Sequence, residues 1–272
     1  MQEHYPKYIT IQKAVGETPL VAVERLRESH AIPVGVPMAY AGRLDPMASG
    51  TLLVLIGDEC KRQNAYHSFD KEYRVEVLLG ASSDTGDVLG LIQNSTVPKI
   101  TEADVRRALT SLIGALSLPY PYFSSKTVRG KPLHVWALEH RLSEIDIPTK
   151  HSKLYKAVFV GLRMTTQEDI LHTVRAKIET IPEVREESKA LGADFRRDAV
   201  RASWDAFEAQ CPKALPIITM TCIASSGTYM RSLALELAKK LGTTGLAYSI
   251  HRTRIGKYIP LSKQYGFWIR EL

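Results

Sequence analysis

The stretch Tyr40-Ala-Gly42-Arg43-Leu44-Asp45-Pro46-Met-Ala-Ser-Gly50-Thr51-Leu52-Leu-Val-Leu-Ile56-Gly57 joins a tight turn to a continuous apolar run. Residues 52–57 are too few for a helix and read as a buried strand. Asp45, framed by Gly42 and Gly50, is thereby carried on a short loop at a strand's edge. A carboxylate so presented can serve as a nucleophile, since rigid scaffolds commonly carry catalytic loops. Asp-Pro and Gly are also turn residues, and alone the stretch reads first as a turn. Outward from it, residues 73–80 alternate: Tyr73, Val75, Val77 and Leu79 share one face and Arg74 and Glu76 the other, as in a half-buried strand. Residues 153–164 and 215–225 also read as strands. Thr18-Pro19 opens a helix with Leu20, Val23 and Leu26 at helical spacing. Thr101 and Asp104 make a capping box before a stripe of Val105, Leu109, Leu112, Ile113 and Leu116. A last helix starts near Thr228, carries Met230, Leu233, Leu237 and Leu241, and stops at Gly242. Strands and helices interleave without strict alternation. The expected class is α+β, a mixed, largely antiparallel sheet flanked by helices.

Composition narrows the function. The chain has 272 residues, 44% hydrophobic and 24% charged, enough for a sizeable core and unlike a disordered chain. No apolar run is long enough to span a bilayer, and the start, Met1-Gln-Glu-His-Tyr, has no signal-peptide pattern. Cys60, Cys211 and Cys222 are too scattered for a disulfide framework or zinc knuckle, so a reducing, cytoplasmic setting is expected. The net charge of +7 permits a polyanionic partner without demanding one. Residues 165–210 form a distinct segment. Thr165 and Glu168 fit a capping box ahead of Ile170, Leu171, Val174 and Ile178, and a second helix is expected from Asp194 through Trp204 and Phe207. This segment carries net −3, which leaves +10 on the rest. Its acidity points to packing or protein contact more than to phosphate binding.

Other motifs exclude common chemistries. Asp84-Thr85-Gly86 has no second copy to make an aspartic-protease pair, and the stretch to Gly90 lacks calcium-loop spacing, so it reads as a turn. No Gly-x-Ser-x-Gly, phosphate-binding glycine loop or zinc His pair occurs. Arg231 follows a strand end in Ser225-Ser-Gly-Thr-Tyr-Met-Arg231. It is either a surface residue or a buried one, and if buried it needs a carboxylate, for which Asp45 is the candidate.

Five stretches then occur in order: Leu44-Asp45-Pro46-Met-Ala-Ser-Gly50; Lys71-Glu-Tyr73-Arg-Val; Asp84-Thr-Gly-Asp87; Tyr122-Phe-Ser-Ser-Lys126 with Gly130-Lys131; and Gly227-Thr-Tyr-Met-Arg231. So ordered, they resemble the TruB family of RNA pseudouridine synthases, over about three-quarters of the chain (roughly residues 8–164 and 213–260). Residues 13–19 resemble the family's opening segment imperfectly. The resemblance implies the pseudouridine synthase fold and an isomerase that converts a specific uridine in RNA, chiefly the T-loop uridine of tRNA at position 55. It implies that Asp45 is the catalytic aspartate, that Tyr73 stacks on the target base and takes part in removing the C5 proton, and that Arg231 pairs with Asp45. Ile250 falls at an apolar position of the site. No metal or organic cofactor is implied.

The chemistry is consistent with these roles. Breaking a C–N glycosidic bond builds positive charge at C1′, which a carboxylate can stabilise or capture, and an adjacent guanidinium favours the ionised carboxylate. A base must leave the RNA stack at a cost of a few kcal/mol. An aromatic platform such as Tyr73 returns about 1–3 kcal/mol per base. Lys126, Arg129 and Lys131 lie where the family has an RNA-clamping thumb, and are expected to contact phosphates. Without the resemblance they read as a solvated basic stretch around one buried Trp. The sequence departs from the family at Tyr40, where a histidine helps hold the RNA loop open, and at Arg43 beside the aspartate; both are expected to contact RNA. Tyr40 can stack but cannot become cationic near neutrality. A single catalytic domain over residues 1–272 is expected, without a C-terminal RNA-binding domain, with the thumb at about 119–147 and the helical insertion at about 165–212. Expected partners are RNA, chiefly tRNA, and a protein at the insertion, with no membrane and no metal. The competing expectation is a non-catalytic RNA-binding or tRNA-folding protein on the same scaffold.

Overall fold

A computed structural model describes residues 5–94, 97, 99–181, 196–210, 212–263 and 265–272. The chain opens with β1 (Tyr8–Lys13) and α1 (Pro19–Ser29), whose Thr18 cap accepts the Val21 amide at 3.2 Å. Then come β2 (Met38–Ala41) and β3 (Ala48–Ile56), the latter containing the apolar run, with Leu52 through Leu55 fully buried. After α2 (Gln63–His67), β4 (Asp70–Leu79) keeps the alternation expected of residues 73–80 and leads into the short pair β5 (Ala81–Ser83) and β6 (Ile92–Asn94).

The capping box of Thr101 and Asp104 is present at α3 (Glu102–Leu112), where each residue bonds the other's backbone amide. The stripe does not stay helical to Leu116. Ile113 is already extended, Gly114 takes φ +131°, and β7 (Gly114–Pro119) follows, burying Leu116 and Leu118 by strand alternation. Residues 119–147 then build a small substructure from β8 (Thr127–Val128), β9 (Lys131–Pro132) and α4 (Leu133–Leu138). Leu133, Trp136 and Ile145 form its own apolar cluster. Arg129 and Gly130 both have positive φ, as a two-residue hairpin turn requires.

β10 (Thr149–Thr166) and β11 (Ala214–Ala224) run antiparallel, with Thr166 opposite Ala214. Two paired strand ends that could be joined by a few residues are joined instead by a 47-residue excursion, 167–213, holding α5 (Gln167–Glu179) and α6 (Arg197–Glu208). The α5 cap is Thr166 with Asp169, one residue beyond the expected Thr165 and Glu168. The second helix starts at Arg197; the expected start at Asp194 lies outside the described residues, as does Cys211. Ile170, Leu171, Val174, Ile178, Val200, Trp204 and Phe207 are all buried in the main core, so the excursion is structural. Its outer face is laced by ion pairs such as Arg175 with Asp205 and Glu208.

The chain continues through α7 (Met230–Lys240), β12 (Gly245–Pro260) and β13 (Gly266–Glu271). One nine-stranded sheet runs β1-β3-β12-β4-β11-β10-β7, with β13 beside β12 and β2 beside β3. Among the described residues of this sheet only β3 and β12 pair in parallel, through residues 48–50 and 250–252, so the sheet is mixed and mostly antiparallel as expected. That parallel junction brings the Asp45 loop, the middle of β12 and the start of β4 to one place.

Candidate active site

A cleft of about 730 Å³ opens over this junction, lined by Tyr40, Arg43, Asp45, Tyr73, Arg231 and Ile250 among others. Asp45 leaves a turn closed by its own carbonyl accepting the Ala48 amide at 2.9 Å, and the Pro46 carbonyl accepts the Gly16 amide at 2.8 Å. The turn re-enters β3 at Gly50, whose φ is +108°. A Cβ there would lie 2.2 Å from the Arg252 carbonyl oxygen, so the close β3–β12 approach requires glycine.

Arg231 is buried, its side chain only 4% exposed. Nε donates to Asp45 Oδ2 at 2.7 Å, Nη1 to the Thr85 carbonyl at 2.8 Å and Nη2 to the Phe123 carbonyl at 3.1 Å. A second carboxylate, Asp87 Oδ2, stands 3.5 Å from Nε. Burial pushes the Asp87 carboxyl above its ordinary range, against the pull of Arg231. Asp87 also accepts from the Thr85 hydroxyl and the Leu89 amide, each at 2.9 Å. The guanidinium thus links the loop, the 84–87 turn and the base of the 119–147 substructure, and aims one N–H at a carboxylate that is 34% exposed and open to the cleft.

Tyr73 presents its ring to the same cleft from β4, and burial raises its phenol above the usual tyrosine range. Arg252, which sits opposite it on β12, pulls the other way. Arg252 is 1% exposed and donates to the carbonyls of Thr51 at 2.7 Å and of Arg43 and Gly42 at 3.2 Å each. One buried cation therefore acts on the tyrosine and holds the loop that carries Asp45. Lys71 and Lys13 lie nearby, and burial brings each amine down to about 8. Ile250 packs in the wall at 4% exposure, while Arg43 is solvent-exposed at the rim.

Asp45, Tyr73, Arg231, Ile250, Tyr40 and Arg43 meet in the cleft; Lys126, Arg129 and Lys131 are not among its lining residues and stand on the adjoining β8–β9 hairpin and the segment before it. There Lys131 pairs with Glu139 at 2.6 Å, Arg129 donates to the Glu144 carbonyl at 3.1 Å, and Lys126 lies over the Tyr120 ring. Sequence reading missed Arg252, which β12 buries while Thr253, Arg254 and Lys257 on the same strand stay exposed. It also took Asp87 for a turn residue and gave the insertion's Arg196, which lines the cleft, no part in the site. Among the described residues no three His, Cys, Asp or Glu side chains converge as metal ligands would.

The fold defines the class. The chain superposes on one in a Cbf5-Nop10-Gar1 complex with a TM-score of 0.53 at 15% identity, over 92% of this chain and 48% of that one. It belongs to the TruB family of pseudouridylate synthases: the family's N-terminal domain matches residues 36–181. It is 25% identical over 249 residues to tRNA pseudouridine synthase B of Syntrophus aciditrophicus, covering 91% of this chain and 62% of that protein. It is 26% identical over 250 residues to tRNA pseudouridine synthase B of Caldicellulosiruptor saccharolyticus, covering 92% and 67%. The chain thus spans between about three-fifths and two-thirds of the length of these relatives. No helix among the described residues is long and apolar enough to cross a membrane.

Proposed function

We propose that the chain converts a uridine in RNA to pseudouridine, with the T-loop uridine of tRNA, position 55, as its target. The observation that carries the reading is the Asp45–Arg231 pair, 2.7 Å apart at the floor of a cleft walled by Tyr73. Relatives named tRNA pseudouridine synthase B support the choice of tRNA. In this reading the flipped uridine stacks on Tyr73 while Asp45 faces C1′. The carboxylate captures or stabilises C1′ as the bond to N1 breaks, and Arg231 holds it oriented. The freed uracil turns within the cleft, C5 bonds to C1′, and the C5 proton leaves as N1 regains one. No atom is gained or lost. Tyr73, whose phenol burial holds in its neutral form, would relay the C5 proton. Tyr40 and Arg43 at the rim would receive the flanking nucleotides, and Lys126, Arg129 and Lys131 the phosphates.

Asp45→Asn keeps the shape of the side chain and removes the charge. The expected outcome is loss of tritium release from [5-³H]uridine tRNA, with RNA affinity within about threefold of the parent, because uniform binding contacts remain. Full activity in Asp45→Asn overturns the nucleophile assignment. RNA binding without tritium release by the unaltered protein supports the non-catalytic alternative.

A further inference from the structure

The insertion is more than cover for the sheet. α6 and its cap residue Arg196 hold residues 84–92 at three points: Arg196 Nη1 reaches Asp84 Oδ2 at 2.6 Å, Trp204 Nε1 donates to the Val88 carbonyl at 3.0 Å, and Ser203 Oγ accepts the Ile92 amide at 2.8 Å. Arg196 alone of these lines the cleft. Its guanidinium also stacks 4.3 Å from the centre of the Phe123 ring. Asp84 begins the turn whose Thr85 carbonyl accepts Arg231 Nη1, and Phe123 supplies the carbonyl that accepts Nη2. One arginine of the insertion therefore grips both backbone segments that orient the arginine facing Asp45. The grip is built at a conformational cost, because Arg196 has φ +56° and ψ +39°, a left-handed backbone that side chains other than glycine seldom adopt. From the other flank Ala247 donates to the Gly86 carbonyl at 2.9 Å, and Lys177 of α5 donates to the Tyr248 carbonyl next along β12.

We propose that Arg196 is a positioning residue for the isomerase site: through Asp84 and Phe123 it fixes the two carbonyls that aim Arg231 at Asp45. This rests on the isomerase reading, so the test has one readout of activity and one that needs none. The first is steady-state tritium release from [5-³H]uridine tRNA. The second is the Arg231 Nε–H resonance of the ¹⁵N-labelled full chain. Arg196→Gly suits the left-handed backbone and removes the side chain without strain. Because small misplacements of catalytic groups are costly, kcat is expected to fall about tenfold or more while KM changes less than about threefold. The Arg231 resonance should broaden or shift in the same variant. Arg196→Lys keeps a cation near Asp84 and should recover part of kcat. Asp84→Asn should show a comparable loss, and the double variant should be no worse than either single, as for residues acting through one contact. Unchanged kcat in Arg196→Gly, an unmoved Arg231 resonance, losses that multiply in the double variant, or a loss confined to KM would each overturn the proposal. If the unaltered protein releases no tritium, the isomerase reading fails, and the Arg231 resonance alone decides whether Arg196 positions it.

Discussion

A guanidinium with little access to water must be matched by acceptors, and Arg231 has four around it: two carboxylates and two carbonyls. Removing one partner of such a buried arrangement strands the others. Arg231→Ala is therefore expected to cost about 3–5 kcal/mol of stability, read as a lower urea midpoint, since Asp87 is left buried and without its cation. Asp45→Asn, with its carboxylate 34% exposed, should shift the midpoint far less. The two variants thus separate a structural loss from a chemical one. At this scale Asp45, Tyr73 and Arg231 were legible because each stood inside a motif with recognisable spacing. Arg252 was not, because its partners are the carbonyls of residues 42, 43 and 51, some 200 positions away, and nothing local marks them.

Helix starts were legible where capping is local: Thr18 and Thr101 accept amides three residues on, as their spacing implies. At α5 two adjacent threonines each have an acidic residue three positions later, and only the strand pairing of Thr166 with Ala214 decides between them. The end of α3 was hidden because the leucine stripe continues past Gly114, where the backbone changes from helix to strand. Within the insertion Trp204 is fully buried and packs into the main core, while Asp205 and Glu208 pair with Arg175 on the outer face. Trp204→Ala is expected to cost about 3–5 kcal/mol, measured by urea unfolding, as for a large aromatic removed from a core. In the thumb, each cation that contacts a phosphate contributes about 0.7–0.9 to the slope of log affinity against log salt. With Lys131 held by Glu139, replacing Lys126, Arg129 and Lys131 together by alanine should lower that slope by about 2. An unchanged slope would place the phosphates elsewhere.

Across the whole molecule, the buried amines make stability depend on pH in an unusual direction. Lys13, Lys71 and Lys177 lose their protons at about 8 in the folded protein, against 10.5 for an ordinary lysine, because burial disfavours their charge. Above pH 8 the unfolded chain therefore binds more protons than the folded one, and stability rises with pH. From pH 9 upward Cys222 opposes this, because burial pushes its thiol up to about 12 and the unfolded chain then binds fewer protons. The urea midpoint is expected to climb between about pH 8 and 9 and to climb less in Lys177→Met; a midpoint that falls over that interval would contradict the burial of these amines.

The place of β12 between β3 and β4 has a consequence for how the chain comes off the ribosome. β3 and β4 are made early, yet residues 245–260 must slot between them before either is fully paired. Until then Val75, Val77 and Leu78 of β4, wholly buried in the finished fold, are without their neighbours on β11 and β12, and such apolar segments left unpaired invite aggregation. Asp45 is in place long before the strand that carries Arg252 has been synthesised, so a nascent chain should have no working cleft. Guarding that strand during translation falls to whatever chaperones the cell supplies, and growth conditions that slow elongation through residues 245–260 should show first as insoluble protein, not as slow enzyme.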